Sequence, residues 1–124
     1  MSDNSSQYVG QYNIDGLPQG TDFSIYIDYQ TGDTPTTVDL TDYTGKLQVR
    51  RNYGSAVLLE LKSDDGEIVF SDTAPNIAIT FPASKTSSMT IYEDMIYDLL
   101  ITSTGLLSTR VIEGCFSIDR QVTI

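Results

Sequence analysis

Between Thr44 and Leu61 the chain alternates apolar and polar residues twice, with a glycine-bearing link between the two runs. In the first run Leu47 and Val49 fall on one side, and Lys46, Gln48 and Arg50 on the other. In the second, Val57, Leu59 and Leu61 make an apolar row opposite Leu58 and Glu60. A period of two does not give a helix one apolar stripe, because helical side chains recur every 3.6 residues. Two such runs joined at Tyr53-Gly54-Ser55 predict an antiparallel hairpin whose inner rows, Leu47, Val49, Val57, Leu59 and Leu61, enter a core. Counting Lys62 just beyond it, this hairpin also holds four of the chain's seven cationic residues: Lys46, Arg50, Arg51 and Lys62.

The same period recurs along the chain. Gln7 to Ile14 alternates and predicts a first strand, followed by a turn signal at Gly16 to Gly20. Phe23, Ile25, Ile27 and Tyr29 share one face of the next strand. Thr36 to Leu40 predicts a short strand, as does Ile68 to Phe70, with a turn at Ser63 to Gly66 between the hairpin and the latter. Ile77, Ile79 and Phe81 form a further row, and Tyr97, Leu99 and Ile101 another. Ile96 and Leu100 lie on the opposite side of that strand, which implies cover on both faces or a partner subunit. Leu107 to Glu113 and Cys115 to Ile124 predict two last strands, separated or bent at Gly114. Pro82 to Met89 is the one candidate helix, a single turn. About eight to nine strands at spacings near ten residues predict an all-β chain, a single antiparallel sandwich or a barrel. The length of 124 residues suits one domain, taken as 8–124 after a polar, flexible lead at 1–7.

Charge and composition narrow the function classes. Seventeen acidic residues against seven basic ones leave a net charge of −10. A phosphate backbone is bound by clustered Lys and Arg, and an anionic bilayer attracts basic segments, so neither nucleic acid nor membrane is expected as a partner. The acidity implies solubility, or a surface complementary to a basic partner. The polar start of the chain has no signal-peptide pattern, and no apolar run approaches a membrane span. The single Cys115 permits no internal disulfide, which fits folding in a reducing cytoplasm.

Catalysis finds few candidates. There is no histidine, hence no Ser-His-Asp or Cys-His arrangement. Cys115, in a strand pattern, is expected as a small buried residue without a charge to activate its thiol. Asp64, Asp65 and Glu67 lack the spacing of a calcium loop, and a solvated hairpin tip does not raise a carboxylate pKa for acid catalysis. Glu93 and Asp94 are assigned to a loop in the same way. No catalytic residue, metal ligand or cofactor site is therefore expected. The candidates that remain are for contact: Arg50 and Arg51 as a docking patch, and Tyr8, Tyr12 and Tyr26 as exposed aromatics. Tyrosine is favoured at protein interfaces and also stacks on sugar rings.

Four short motifs carry a resemblance. They are Gly20-Thr21-Asp22-Phe23, the segment Asp39 to Arg50 with its Asp39-Leu40-Thr41 and Gln48-Val49-Arg50, Tyr97-Asp98-Leu99, and Gly114 to Ile118 with Val122-Thr123 beyond. In these the chain, from about Tyr12 onward, resembles small virion proteins of tailed bacteriophages. The resemblance implies an immunoglobulin-like β-sandwich within a tail, baseplate, tail-fibre or neck assembly. It implies a non-enzymatic part of the virion, folded in the host cytoplasm and present in several copies. The first expectation is a tail-, baseplate- or fibre-associated adaptor that holds other virion proteins, with homo-oligomers possible. A neck, collar or capsid decoration protein is the alternative. Longer relatives of this kind continue into a fibre shaft and receptor-binding head, which this sequence does not carry. A carbohydrate-binding module reading host glycans through exposed tyrosines is the alternative of another class.

Overall fold

The computed structural model describes residues 10–31 and 36–122. They form eleven strands: β1 Gly10–Gln11, β2 Ile14–Pro18, β3 Phe23–Ile27, β4 Gln30–Thr31, β5 Thr36–Thr37, β6 Thr44–Arg50, β7 Val57–Lys62, β8 Ile68–Phe70, β9 Ile77–Phe81, β10 Met95–Thr102 and β11 Ser108–Asp119. Eight of these exceed two residues, in line with the expected number. The short helix α1, Ala83–Ser88, lies inside the predicted segment. A single 3-10 turn occupies Ser63–Asp65.

Two sheets make the sandwich. The larger has the order β1-β11-β10-β6-β7, with β2 also on β11; the smaller is β3-β9-β8. β4 and β5 form a separate ribbon. The main pairings are antiparallel, whereas β1 and β2 run parallel to β11. The chain passes from β2 to the smaller sheet at β3, returns for β6 and β7, crosses for β8 and β9, and returns again for β10 and β11. That alternation is the immunoglobulin-like arrangement. Among the described residues Cys115 is the only cysteine, so the sheets are held by packing rather than by a disulfide.

The core lies between the inner rows. Leu47, Val49, Leu59 and Leu61 from the hairpin meet Tyr97, Leu99 and Ile101 of β10 and Ile77, Ile79 and Phe81 of β9, all buried. Phe81 and Phe116 face one another across the sheets, with ring centroids 5.7 Å apart. The Asp39-Leu40-Thr41 motif closes one end. The Asp39 carboxylate accepts from the Thr41 N–H at 2.9 Å and hydroxyl at 2.6 Å, which holds its pKa below the usual carboxylate value. That turn buries Leu40 fully, and half-buried Tyr43 sits 6.5 Å from Phe70, plugging the sandwich end.

The structure corrects five expectations. Val57 points outward and is exposed, because a bulge pairs Val49 with Leu59 but Arg50 with Val57 and so shifts the phase of the row. Ile14–Pro18 is a strand rather than the beginning of a turn: it lies at a sheet margin, where Pro18 is tolerated. Gly16, at φ 70°, absorbs the irregularity there, and the chain turns at Gln19 to Thr21 instead. Gly114 does not break the last strand; β11 is continuous for 12 residues. Cys115 is exposed, since it alternates with inward Phe116. Glu67 is buried rather than part of a solvated tip: its carboxylate accepts from Lys85 at 2.6 Å and from the Lys62 N–H at 3.0 Å. The lead at 1–7, and Tyr8 with it, lie outside the described residues.

Candidate functional site

The outer face of the larger sheet is organised by three rows that cross it in register. One holds Cys115, Ile96, Arg50 and Val57. The next holds Glu113, Asp98, Gln48 and Glu60, and the third Arg110, Leu100, Lys46 and Lys62. Outward side chains alternate with core side chains along each strand, so the period that builds the core also builds this face.

Hydrogen bonds and ion pairs connect side chains within and between these rows. Gln48 Nε2 donates to Glu60 Oε2 at 2.6 Å, and Arg50 Nη2 donates to Gln48 Oε1 at 2.9 Å. Arg110 reaches Asp98 at 3.5 Å and Glu113 at 3.2 Å. Gln11 donates to the other Glu113 oxygen at 2.9 Å. Three carboxylates can share one face because each has a donor beside it. Arg50 also donates to the Ser55 carbonyl, which ties it to the hairpin loop.

Above these rows lies a groove of about 400 Å³, bounded by Asn13, Arg50, Tyr53, Ile96, Glu113 and Cys115. Asn13 belongs to the break between β1 and β2. There its Oδ1 accepts from the Cys115 N–H at 2.9 Å and so continues the ladder with a side chain. Tyr53 stands on the Asn52–Ser55 turn and is 85% exposed. Ile96 is half-buried, while Val57 in the same row and Leu100 two rows away are exposed. Apolar side chains thus stand among polar groups that already have partners. Such a mixture can be covered by another protein without stranding a buried donor or acceptor. Among the described residues no group of His, Cys, Asp and Glu suits a metal ion.

The candidates expected from sequence do not converge. Arg50 lies on this face, opposite Val57, and Gln48, two residues earlier on β6, lies opposite Glu60. Arg51 leaves the face at the end of β6. Its guanidinium lies 4.6 Å from the Tyr92 ring centroid and its Nε 3.4 Å from Asp94. Tyr12 is exposed beside the groove, and its carbonyl accepts from the buried Tyr97 hydroxyl. Tyr26, 66% exposed, is on the smaller sheet, beside Ala78. Tyr12 and Tyr26 therefore belong to different sheets and form no common stacking platform. Sequence reading missed Tyr53, Ile96 and Cys115 as neighbours. Ile96 alone carried a signal, as an apolar residue on the outward row of its strand.

No family model matches the chain, and no curated protein matches it. Among solved structures the chain is similar to extracellular domains 3–5 of Drosophila OTK, at 16% identity and a TM-score of 0.36. The similarity covers 94% of this chain and 34% of that one, so this chain spans about a third of that structure's length.

Proposed function

We propose that this chain is a structural domain of a tailed-bacteriophage particle, an adaptor associated with the tail, baseplate or tail fibre and held in several copies by protein–protein contacts. The observation that carries the adaptor reading is the outer face of the larger sheet. Its exposed Val57, Leu100 and Tyr53 stand among polar side chains that each have a bonding partner. The four motifs that resemble virion proteins support the particle as its setting. They fall on the fold's framework: the turn into β3, the Asp39 turn with β6, the inner row of β10, and β11. This is the expected pattern when what matters is a scaffold that presents faces rather than a reaction centre.

The test is direct. Particles of the parent phage, purified by density gradient, are analysed by mass spectrometry and cryo-electron microscopy. The chain is expected in stoichiometric, multi-copy amounts, with density for the sandwich next to the tail axis. Its absence from purified particles would end this reading.

A further inference from the structure

Tyr53 is left almost wholly in water, yet the turn that carries it is fixed. The Ser55 N–H donates to the Asn52 carbonyl at 3.2 Å, and the Ser55 hydroxyl accepts from the Asn52 N–H at 3.1 Å. Arg50 holds the Ser55 carbonyl, and Gly54 closes the turn at a φ of 83°. An aromatic ring on such a turn offers a flat contact area and loses little freedom when it is covered. The ring borders the groove, whose other sides carry Asn13, Arg50, Asp98, Glu113 and Gln11. These polar side chains hold one another, but not with every atom. Among the described residues Asn13 Nδ2 and Arg50 Nε have no partner and can donate. Asp98 Oδ1 and Gln11 Oε1 have none and can accept.

The chemistry of the groove selects its occupant. Charged and polar side chains predominate in the lining, so an apolar ligand would take them out of water and give nothing back. An anion would enter a molecule of net charge −10 beside two carboxylates. A bound cation would meet Arg50, and Arg110 already pairs with both Asp98 and Glu113. An extended peptide needs a row of unpaired backbone groups, whereas the floor here is the side-chain face of β11, β10 and β6, which pair with one another. A neutral saccharide meets each requirement. Every hydroxyl both donates and accepts, so it can bridge a set of mixed donors and acceptors. The weakly positive C–H face of a pyranose suits the negative face of an aromatic ring. A volume of about 400 Å³ has room for roughly one or two such rings. We propose that the groove binds a neutral saccharide, stacked on Tyr53 and hydrogen-bonded by Asn13, Arg50, Asp98 and Gln11. Val57 and Leu100 are outside the lining, so the site leaves them open to contact with other proteins. The inference goes beyond the adaptor role and does not depend on it.

The experiment titrates the isotope-labelled full chain with a panel of neutral oligosaccharides of hexoses and N-acetylhexosamines, with sialylated members as the anionic comparison, and follows backbone amide shifts. A neutral member is expected to move the amides of Tyr53, Gly54 and Cys115 saturably. Tyr53→Ala removes an exposed side chain, so the fold and its amide spectrum are expected to persist while binding weakens by at least about tenfold. Asn13→Asp keeps the acceptor for the Cys115 N–H and loses the Nδ2 donor; it is expected to weaken binding by about five- to tenfold. Tyr26→Ala, on the other sheet, is expected to bind as the parent does. The saccharide site is overturned by an absence of shifts across the panel at about 20 mM ligand, by binding that survives Tyr53→Ala unchanged, or by preference for the sialylated members. None of these results bears on whether the protein is found in particles, which is measured separately.

Discussion

The side-chain amide of Asn76 pairs with the backbone of Tyr29 in both directions. Its Oδ1 accepts from the Tyr29 N–H at 2.7 Å, and its Nδ2 donates to the Tyr29 carbonyl at 3.0 Å. The second Nδ2 hydrogen reaches the Val38 carbonyl at 2.7 Å. Asn76 is fully buried, and its carboxamide acts as a strand would, joining the end of β3 to the segments around β4 and β5. Asn76→Ala removes the partner of the Tyr29 N–H and of the Val38 carbonyl, while the Tyr29 carbonyl keeps the Val38 N–H at 3.0 Å; the variant is expected to lose about 2–3 kcal/mol of unfolding free energy, measured by urea denaturation. Asn76→Asp keeps the acceptor and loses both donors, so it is expected to be no more stable than the alanine variant. A loss below about 0.5 kcal/mol for both would show that the two groups find water at no cost.

Lys85 on α1 and Glu67 at the start of β8 form the best-shielded ion pair among the described residues, at 2.6 Å. Lys85 also donates to the Glu60 carbonyl at 2.7 Å. The pair pins α1 beside the β7–β8 connection. Glu67→Ala removes two acceptors at once and is expected to cost about 2–3 kcal/mol, toward the lower end for such pairs because Lys85 is partly exposed. By contrast, Arg51→Ala at its exposed contact with Asp94 is expected to change stability by less than about 1 kcal/mol. Equal effects at the two sites, compared by thermal melts, would refute the distinction.

Gly114 makes room for another part of the chain. A β-carbon there would lie 2.3 Å from the Tyr12 carbonyl oxygen and 2.8 Å from Asn13 Oδ1. Gly114→Ala is therefore expected to push the β1–β2 segment off β11, to cost about 2–3 kcal/mol, and to raise amide exchange at Tyr12 and Cys115, whose N–H groups bond across that seam. Unchanged exchange at those two amides would mean that the segment shifts without detaching.

Tyr97 is buried and its hydroxyl donates to the Tyr12 carbonyl. Burial raises its pKa well above the ordinary 10.0, with Tyr12 adding to the effect. The unfolded chain releases this proton near pH 10 while the folded chain keeps it. The stability contribution is therefore complete below pH 10 and declines as the pH rises above it. Tyr97→Phe is expected to be less stable near neutral pH by about 1 kcal/mol, for the lost hydrogen bond, and to lose less stability between pH 9.5 and 11 than the parent. Parallel pH profiles of the two proteins, followed by urea midpoint, would rule Tyr97 out as the group responsible.

What could be read from the residues is what repeats locally. The inner rows of β6, β9 and β10 followed from alternation alone, because a strand side chain's face is set by its own position. The short helix followed from residue chemistry of the same local kind. The candidate site was less legible. Arg50 was found on the outer face, but Arg51, its neighbour in sequence, turns toward Tyr92, and Tyr12 and Tyr26 separate onto different sheets. Which outward residues become neighbours depends on strand order, and periodicity does not encode strand order.

The sequence by itself determined an all-β chain with its main core rows, since apolar side chains spaced two apart must leave water together on one face. Only the tertiary structure decided the rest. A bulge, which alternation does not mark, turned Val57 outward. The approach of Tyr12 explained Gly114 as a place of contact rather than a break. Glu67 looked like part of a solvated turn until distant donors, brought close by the sandwich, gave it buried partners, and Asn76 likewise meets its partners only in the folded chain. Burial of a polar group is a property of what lies opposite it, and that is set by the fold.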